Sequence, residues 1–225
     1  MLYLVSTPIG NLEDISARAI RILKEADIVA CEDTRHARIL FERHGIKPQR
    51  LVSYHAQNEK PRAAELAEDL RTGADVAIVT DAGTPGISDP AWAIVKEAIL
   101  LGVDVVPIPG ACAAIAALSA SGLDTTRFAF EGFLPQKKGR QTRIKEVAAE
   151  ERTSVIYESP FRIKKLLKEL IAVAGEERKC ALAREITKLH ETFYRGTMVE
   201  VLAAIEKQFP EDVKGECVLV VEGKG

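Results

Sequence analysis

Short apolar runs alternate with amphipathic stretches through the first half of the chain. Leu2–Ser6, Ile28–Cys31, Leu51–Tyr54, Val76–Thr80 and Val103–Ile108 are rich in β-branched residues and too short for helices, so they read as buried strands. Between them the spacing is helical. Ser16–Ala26 carries Ile20, Leu23 and Ala26 on one side, and Thr34–His44 runs to a stop at Gly45. Asn58 starts a helix that reaches about Leu70, and Ala91–Leu100 is a further helix. Alternation of this kind predicts an α/β fold in which helices cover both faces of a mostly parallel sheet.

The second half is less regular. The small-residue segment Ala111–Ser121 predicts a tightly packed helix. Strands are expected at Phe128–Gly132, Ser154–Tyr157, Cys180–Glu185, Glu191–Arg195 and Cys217–Glu222, and helices at Gln141–Ala149, Arg162–Ala174 and Val199–Phe209. Glu191 follows Glu185 too closely for a helical crossover, so those two strands are expected to form an antiparallel hairpin. The change of pattern puts a domain boundary near residues 110–122. We expect an N-terminal domain over 1–115 and a C-terminal α/β domain with a mixed sheet over 116–225.

Composition narrows the function classes. With 47% apolar and 28% charged residues, the 225-residue chain is ordinary for a globular protein. Its formal net charge of -2 does not announce a nucleic-acid partner in bulk. No apolar stretch approaches the roughly 20 residues of a membrane helix, and Leu2–Val5 is too short for a signal-peptide core. The four cysteines, Cys31, Cys112, Cys180 and Cys217, are far apart in apolar contexts and read as reduced, buried thiols. A cytoplasmic protein without disulfides, zinc or other metal is expected.

Local charge is more informative. Arg35, Arg38, Arg43, Lys47 and Arg50 face only Glu42, and Lys137, Lys138, Arg140, Arg143 and Lys145 have no acidic residue among them. Such runs are commonly solvated faces. With Arg162, Lys164, Lys165 and Lys168 as a third group, their number in one near-neutral chain suggests a sorted surface that could hold a phosphate backbone.

Ligands of open α/β sheets bind beyond the carboxyl ends of the strands. The loop there after the Val76 run reads Asp81-Ala82-Gly83-Thr84-Pro85-Gly86-Ile87-Ser88-Asp89-Pro90. Asp89-Pro90 has the form of an N-cap followed by proline at the first helical position. Asp81 has no obvious capping role, and the two glycines would let a ligand approach the backbone. Thr7-Pro8-Ile9-Gly10-Asn11-Leu12 is a second loop on the same edge. Glu32-Asp33-Thr34-Arg35 opens a helix, where Asp33 could simply be the cap. Glu158, Arg162 and Glu185 also lie at strand ends. The chain has no dinucleotide-binding Gly-x-Gly-x-x-Gly after the first strand, no phosphate-cradling Gly-x-x-x-x-Gly-Lys, no metal-ligand spacing and no nucleophile elbow.

Taken in order, Thr7–Leu12, Glu32–Arg35, Asp81–Pro90, Pro107–Gly110, Glu131-Gly132-Phe133-Leu134-Pro135, Tyr157-Glu158-Ser159 and Ala183-Arg184-Glu185 closely resemble the bacterial 16S ribosomal RNA (cytidine-2′-O)-methyltransferases of the tetrapyrrole methylase superfamily. The resemblance implies two α/β domains with S-adenosylmethionine in the cleft between them, usually as a homodimer. It implies methylation of a ribose 2′-hydroxyl of a decoding-centre cytidine in the 16S RNA of the small ribosomal subunit. Carried over by position, Pro8, Asp81, Ala82, Gly83, Ile87, Ser88, Asp89, Ala111, Cys112, Ala113, Tyr157 and Ala183 would line the cofactor site. Asp33, Glu158, Arg162 and Glu185 are then the catalytic candidates, with His55 as a further possible base. Arg35, Lys137, Lys138 and Arg140 would contact RNA. The five residues Asp33, Asp81, Glu158, Arg162 and Glu185 are expected to converge. Members of the family often have His where this chain has Phe161, and many continue past the last strand. The competing readings are a methyltransferase of the same fold acting on a corrinoid, other tetrapyrrole or protein acceptor, and a non-catalytic nucleotide- or RNA-binding module.

Overall fold

The computed structural model describes residues 1–225. They divide into two compact units, Met1–Cys112 and Ala113–Gly225.

In the first unit, strands β1 (Leu2–Val5), β2 (Ile28–Cys31), β3 (Arg50–Ser53), β4 (Val76–Val79) and β5 (Val105–Ile108) form one parallel sheet in the order β3-β2-β4-β1-β5. Helices α1 (Ala17–Glu25), α2 (Thr34–His44), α3 (Glu59–Arg71) and α4 (Trp92–Leu100) connect them. Strand periodicity sorts the core into two layers. Tyr3, Val5, Val29, Cys31, Ala77 and Val79 pack with Leu23 of α1 and Phe41 of α2. The alternate residues Leu2, Ile28, Ala30, Val76 and Ile78 pack with Leu66 of α3 and Ile94 of α4. Gly45 ends α2 in the left-handed conformation, as its sequence position predicts. Helix α4 differs from expectation: its cap is Ala91, and Asp89-Pro90 remain in the preceding loop.

In the second unit, β6 (Phe128–Phe133), β7 (Thr153–Glu158), β8 (Lys179–Arg184), β9 (Thr192–Thr197) and β10 (Cys217–Val221) form a mixed sheet in the order β6-β7-β10-β8-β9. Only β6 and β7 are parallel, and β8 and β9 form the expected antiparallel pair. Ile156, Leu182 and Leu219 pack on one face against α6 (Arg140–Ala149), α7 (Ile163–Ala174) and α8 (Met198–Gln208). Helix α5 (Ala113–Ser119) packs on β7 and β10. No helix is long and apolar enough to cross a membrane.

Cys31, Cys180 and Cys217 are buried, and burial pushes each thiol up to about 12. Cys112 is half-buried, unlike the other three.

Candidate active site

The carboxyl edge of the first sheet is held together by its loops. The Thr7 and Gly83 backbones exchange hydrogen bonds of 2.9 and 3.0 Å, joining the loops after β1 and β4. The Thr7 hydroxyl donates to the Thr80 carbonyl at 3.1 Å, and that of Thr84 to the Ala111 carbonyl at 3.1 Å. Ser6 and Thr84 hydroxyls lie 3.0 Å apart. The backbone of Gly110 passes so close to Ser6 that an added Cβ would lie 2.8 Å from the Ser6 Cβ. Three short polar side chains thus fix three loops at the centre of the sheet.

The loop after β2 is tied in through carboxylates. The Asp33 amide donates to Asp81 Oδ1 at 3.0 Å, while the Asp81 amide donates to the Glu32 carboxylate. Burial first, then the Asp81 charge, pushes the Glu32 carboxyl up. Burial, then Glu32 and Asp81, pushes Asp89 up to about 6. Glu32 is a site residue that sequence reasoning passed over within its own motif. Gly83, Gly86 and Ser88 have φ of 85°, 84° and 66°. Glycine adopts this region freely, whereas at Ser88 it carries strain of the kind that collects at ligand loops.

The predicted cofactor residues of this unit fall on these loops. Asp81, Ala82, Ile87 and Ser88 are exposed, Asp89, Ala111 and Cys112 half-buried, and Pro8 and Gly83 buried. Asp33 caps α2 by accepting from the Arg35 amide at 2.8 Å, and its other oxygen pairs with the Arg35 guanidinium at 2.7 Å. The side-chain bond from Arg35, aided by the backbone bond, holds the Asp33 carboxyl far below the usual range. Asp33 is therefore a weak base. The Arg35 side chain remains exposed on its outer side. His55 lies at the start of the turn into α3, where its amide donates to Asn58 at 2.8 Å.

In the second unit, strand register separates two rows. Tyr157, Val218 and Ala183 are cross-strand neighbours, and so are Glu158, Cys217 and Arg184. Successive residues point to opposite faces, so the two rows lie on opposite sides of the sheet. The Ala114 amide of α5 donates to the Tyr157 hydroxyl at 3.0 Å. Ala113, at the start of α5, is half-buried, and Ala183 is fully buried.

The second row brings Glu158, Arg162 and Arg140 together in one cluster of ion pairs. Glu158 is 3% exposed and Arg140 4%. Glu158 Oε1 accepts from Arg162 Nε at 2.8 Å, and Oε2 lies 3.5 Å from Arg140 Nη1. Arg140 pairs with Glu169 at 2.7 Å and donates to the Pro135 carbonyl at 3.2 Å. These groups lock the ends of β7, α6 and α7 together. They offer no free base, and Arg140 offers nothing to a phosphate. The signal was present in the sequence: Arg140, Ile144 and Val147 follow helical spacing, and all three are buried. Lys137 and Lys138, in contrast, are exposed.

Glu185 is also engaged. It accepts from the Glu216 amide at 2.9 Å and pairs with Lys188 at 3.0 Å. Burial pushes its carboxyl up, but the Glu216 amide and Lys188 outweigh that and hold it below the usual range. Its φ of 54° places it, like Ser88, in the left-handed region. Arg184 does not pair with it. That guanidinium donates to the Lys214 and His190 carbonyls at 2.6 and 3.0 Å.

The chemistry of the first unit's edge is acidic. Glu32, Asp81 and Asp89 carry no Lys or Arg partner, and Arg35 is taken by Asp33. Such an edge suits a cationic ligand with neutral hydroxyl and amine groups, and repels a polyphosphate. No group of side chains has metal-binding geometry.

The chain resembles known proteins over most of its length. Residues 1–202 match the family model of the tetrapyrrole (corrin/porphyrin) methylases. The chain is 47% identical to "Ribosomal RNA small subunit methyltransferase I" of Haemophilus influenzae, over the whole of this chain and 79% of that protein. Among solved structures, a diphthine synthase superposes with a TM-score of 0.75 at 20% identity, covering 99% of this chain and 90% of that one. A uroporphyrin-III C-methyltransferase from Thermus thermophilus, complexed with S-adenosyl homocysteine, superposes with a TM-score of 0.68 at 20% identity, covering 98% and 96%.

Proposed function

Because the chain belongs to the tetrapyrrole methylase family and, within it, to the ribosomal RNA small subunit methyltransferases I, we propose that it methylates a ribose 2′-hydroxyl of a decoding-centre cytidine in 16S ribosomal RNA. Methylation of small-subunit RNA with S-adenosylmethionine is the coarser reading, and 47% identity over the full chain carries it. The cytidine and its 2′-oxygen are the finer one, and rest on the motif resemblance. A corrinoid or protein acceptor is less well supported, because the structures with such names share the fold at only about 20% identity.

The first unit's loops fit the methyl donor. Gly83 and Gly86 present backbone without side chains, Asp81, Asp89 and Glu32 supply negative charge, and Ile87 supplies an exposed apolar surface. Pro8, Ala82, Ser88, Ala111 and Cys112 complete the candidate set there, with Ala113, Tyr157 and Ala183 from the second unit. The bound donor would supply an electrophilic methyl group on a sulfonium. The chain's own contribution is chiefly alignment, which in well-oriented systems is worth up to roughly 7–11 kcal/mol. Asp33 and Glu185 are held below the usual carboxylate range by cations and amides, which leaves them poor proton acceptors. Asp89 is better matched as a base, because its proton affinity lies closer to neutral pH.

We infer a cytoplasmic homodimer. Trp92, Ile99 and Leu100 leave an exposed apolar stripe on α4, with Trp92 70% exposed. Light scattering at micromolar concentration tests the dimer, and a monomer refutes it. For the activity, the test is transfer of labelled methyl to 16S RNA, naked and in small subunits, followed by mapping of the modified nucleotide. Label on a base, or none on either substrate, refutes the reading.

A further inference from the structure

Strand β6 contains an irregularity that the methyl-transfer reading does not use. Phe130 pairs with Val155, but the next paired residue is Gly132, opposite Ile156, so Glu131 is an extra residue in the strand. Gly132, beside the extra residue, takes φ of 59°, a conformation glycine adopts freely. In a regular strand Phe130 and Phe133, three positions apart, would point to opposite faces. The bulge turns both toward Tyr157. Their rings meet that of Tyr157 edge-on, with centroids 5.2 and 5.5 Å away and interplanar angles of 77° and 60°. Phe133 is nevertheless 59% exposed.

The segment that follows is fixed at both ends. Leu134 is buried in the core, and the Pro135 carbonyl is held by the buried Arg140 guanidinium. Between these anchors lie Gln136, Lys137, Lys138 and Gly139, all exposed. Neither lysine forms an ion pair, whereas Arg143 on the following helix is neutralised by Glu131 and Glu146. A stiffly supported aromatic face therefore stands four and five residues before two free cations.

We propose that Phe133 is a stacking platform for an unpaired nucleobase of the RNA substrate, with Lys137 and Lys138 holding the adjoining phosphates. The inference deepens the ribosomal reading and rests on it. Aromatic faces interleaved with unneutralised lysines are the means by which single strands are held without base-specific hydrogen bonds. Phe133 is the most exposed aromatic of the strand, against 36% for Phe130, and the lysines beside it make the patch too charged for the apolar centre of a protein interface. The adenine of the methyl donor has the same stacking chemistry, so the test must separate the two.

The probe is a labelled 16S RNA fragment spanning the decoding centre, titrated at low salt, with S-adenosylhomocysteine affinity measured by calorimetry. F133L keeps an apolar side chain and removes the π face. It should weaken RNA binding by about 5- to 150-fold and leave S-adenosylhomocysteine affinity within twofold. F133W should restore RNA affinity. In a W92F background its fluorescence should be quenched by RNA, because Trp92 is the only native tryptophan. Unchanged RNA binding by F133L overturns the proposal. So does a parallel loss of S-adenosylhomocysteine affinity, which would assign the ring to adenine, and so does failure of F133W to restore binding. If the unaltered protein binds the fragment and methylates it, these outcomes count against the platform alone. If it does neither, the ribosomal reading fails with it.

Discussion

Replacing Glu158 with Gln separates a structural carboxylate from a chemical one. The change keeps the shape of the side chain and removes its charge. Breaking a buried ion pair costs about 3–5 kcal/mol when the partner is left without compensation. Here both partners are partly compensated. Arg140 keeps Glu169 at 2.7 Å, and Arg162 is about one-third exposed and can turn to water. The lost contacts are the 2.8 Å bond from Arg162 and the 3.5 Å approach of Arg140. The expected loss is therefore nearer 2–3 kcal/mol, in line with hydrogen bonds to charged groups. With a urea slope of about 2 kcal/mol/M, the unfolding midpoint should fall by about 1–1.5 M. Well below that midpoint, methyl transfer and S-adenosylhomocysteine affinity should stay within about threefold of the unaltered protein. An unchanged midpoint combined with a hundredfold loss of turnover would refute the reasoning and return Glu158 to the chemistry.

Three further substitutions probe other parts of the structure. Gly110→Ala would force a Cβ to within 2.8 Å of Ser6. It should cost about 1–3 kcal/mol of stability and weaken S-adenosylhomocysteine binding, and unchanged calorimetry would show that the loop junction does not shape the cofactor site. For Asp89, the folded carboxyl titrates at about 6 against about 3.9 in an unfolded chain. The folded state thus binds the proton more tightly, and stability falls as pH rises through that window. Asp89→Asn should match the unaltered protein near pH 4, gain on it up to about pH 6 and hold that advantage above. A gap in urea midpoint that does not vary with pH would contradict this. Reversing Lys137 and Lys138 to Glu should weaken RNA binding and make the slope of log affinity against log salt shallower by at least about 1.4, the share of two phosphate contacts on a single strand. An unaltered slope would leave these lysines as ordinary solvated groups.

Much of the first unit is legible in the sequence because its central strands are short, wholly apolar runs. Ile28 to Cys31 and Val76 to Val79 are apolar at every position, as strands covered on both faces must be. The loops beyond them were readable from Asp81, Gly83 and Gly86. The hydroxyl bonds from Thr7 and Thr84 were not, since they join residues 73 and 27 positions apart. Asp89 shows the limit of local rules. Asp-Pro has the form of a helix start, but the chain continues through turns and bends to Ala91, and the Asp89 carboxylate sits half-buried near Glu32 and Asp81 instead. In the second unit, charge misled more than apolar pattern. Arg140 sits in a basic run and is buried, because Glu158 and Glu169 reach it from other elements. Glu158 follows Tyr157 directly, so strand parity alone puts the two on opposite faces. The extra residue at Glu131 has no signature beyond Gly132, and it is what gathers the three rings.

The order of strands in the first sheet also bears on how the chain is made. Strand β1 lies between β4 and β5, with Leu2 opposite both Val76 and Val105. During synthesis β1 therefore leaves the ribosome long before either partner exists. At about 5–20 residues per second, its apolar residues wait roughly 5–20 seconds for the second neighbour. Early in that interval β2 and β3 can pair with each other, and β4 then joins β2 to β1 before β5 is made. The carboxyl edge, with all its loops, comes into being only after β5 docks. Until then the edge proposed to hold the methyl donor is incomplete, and β1 keeps one of its edges unpaired.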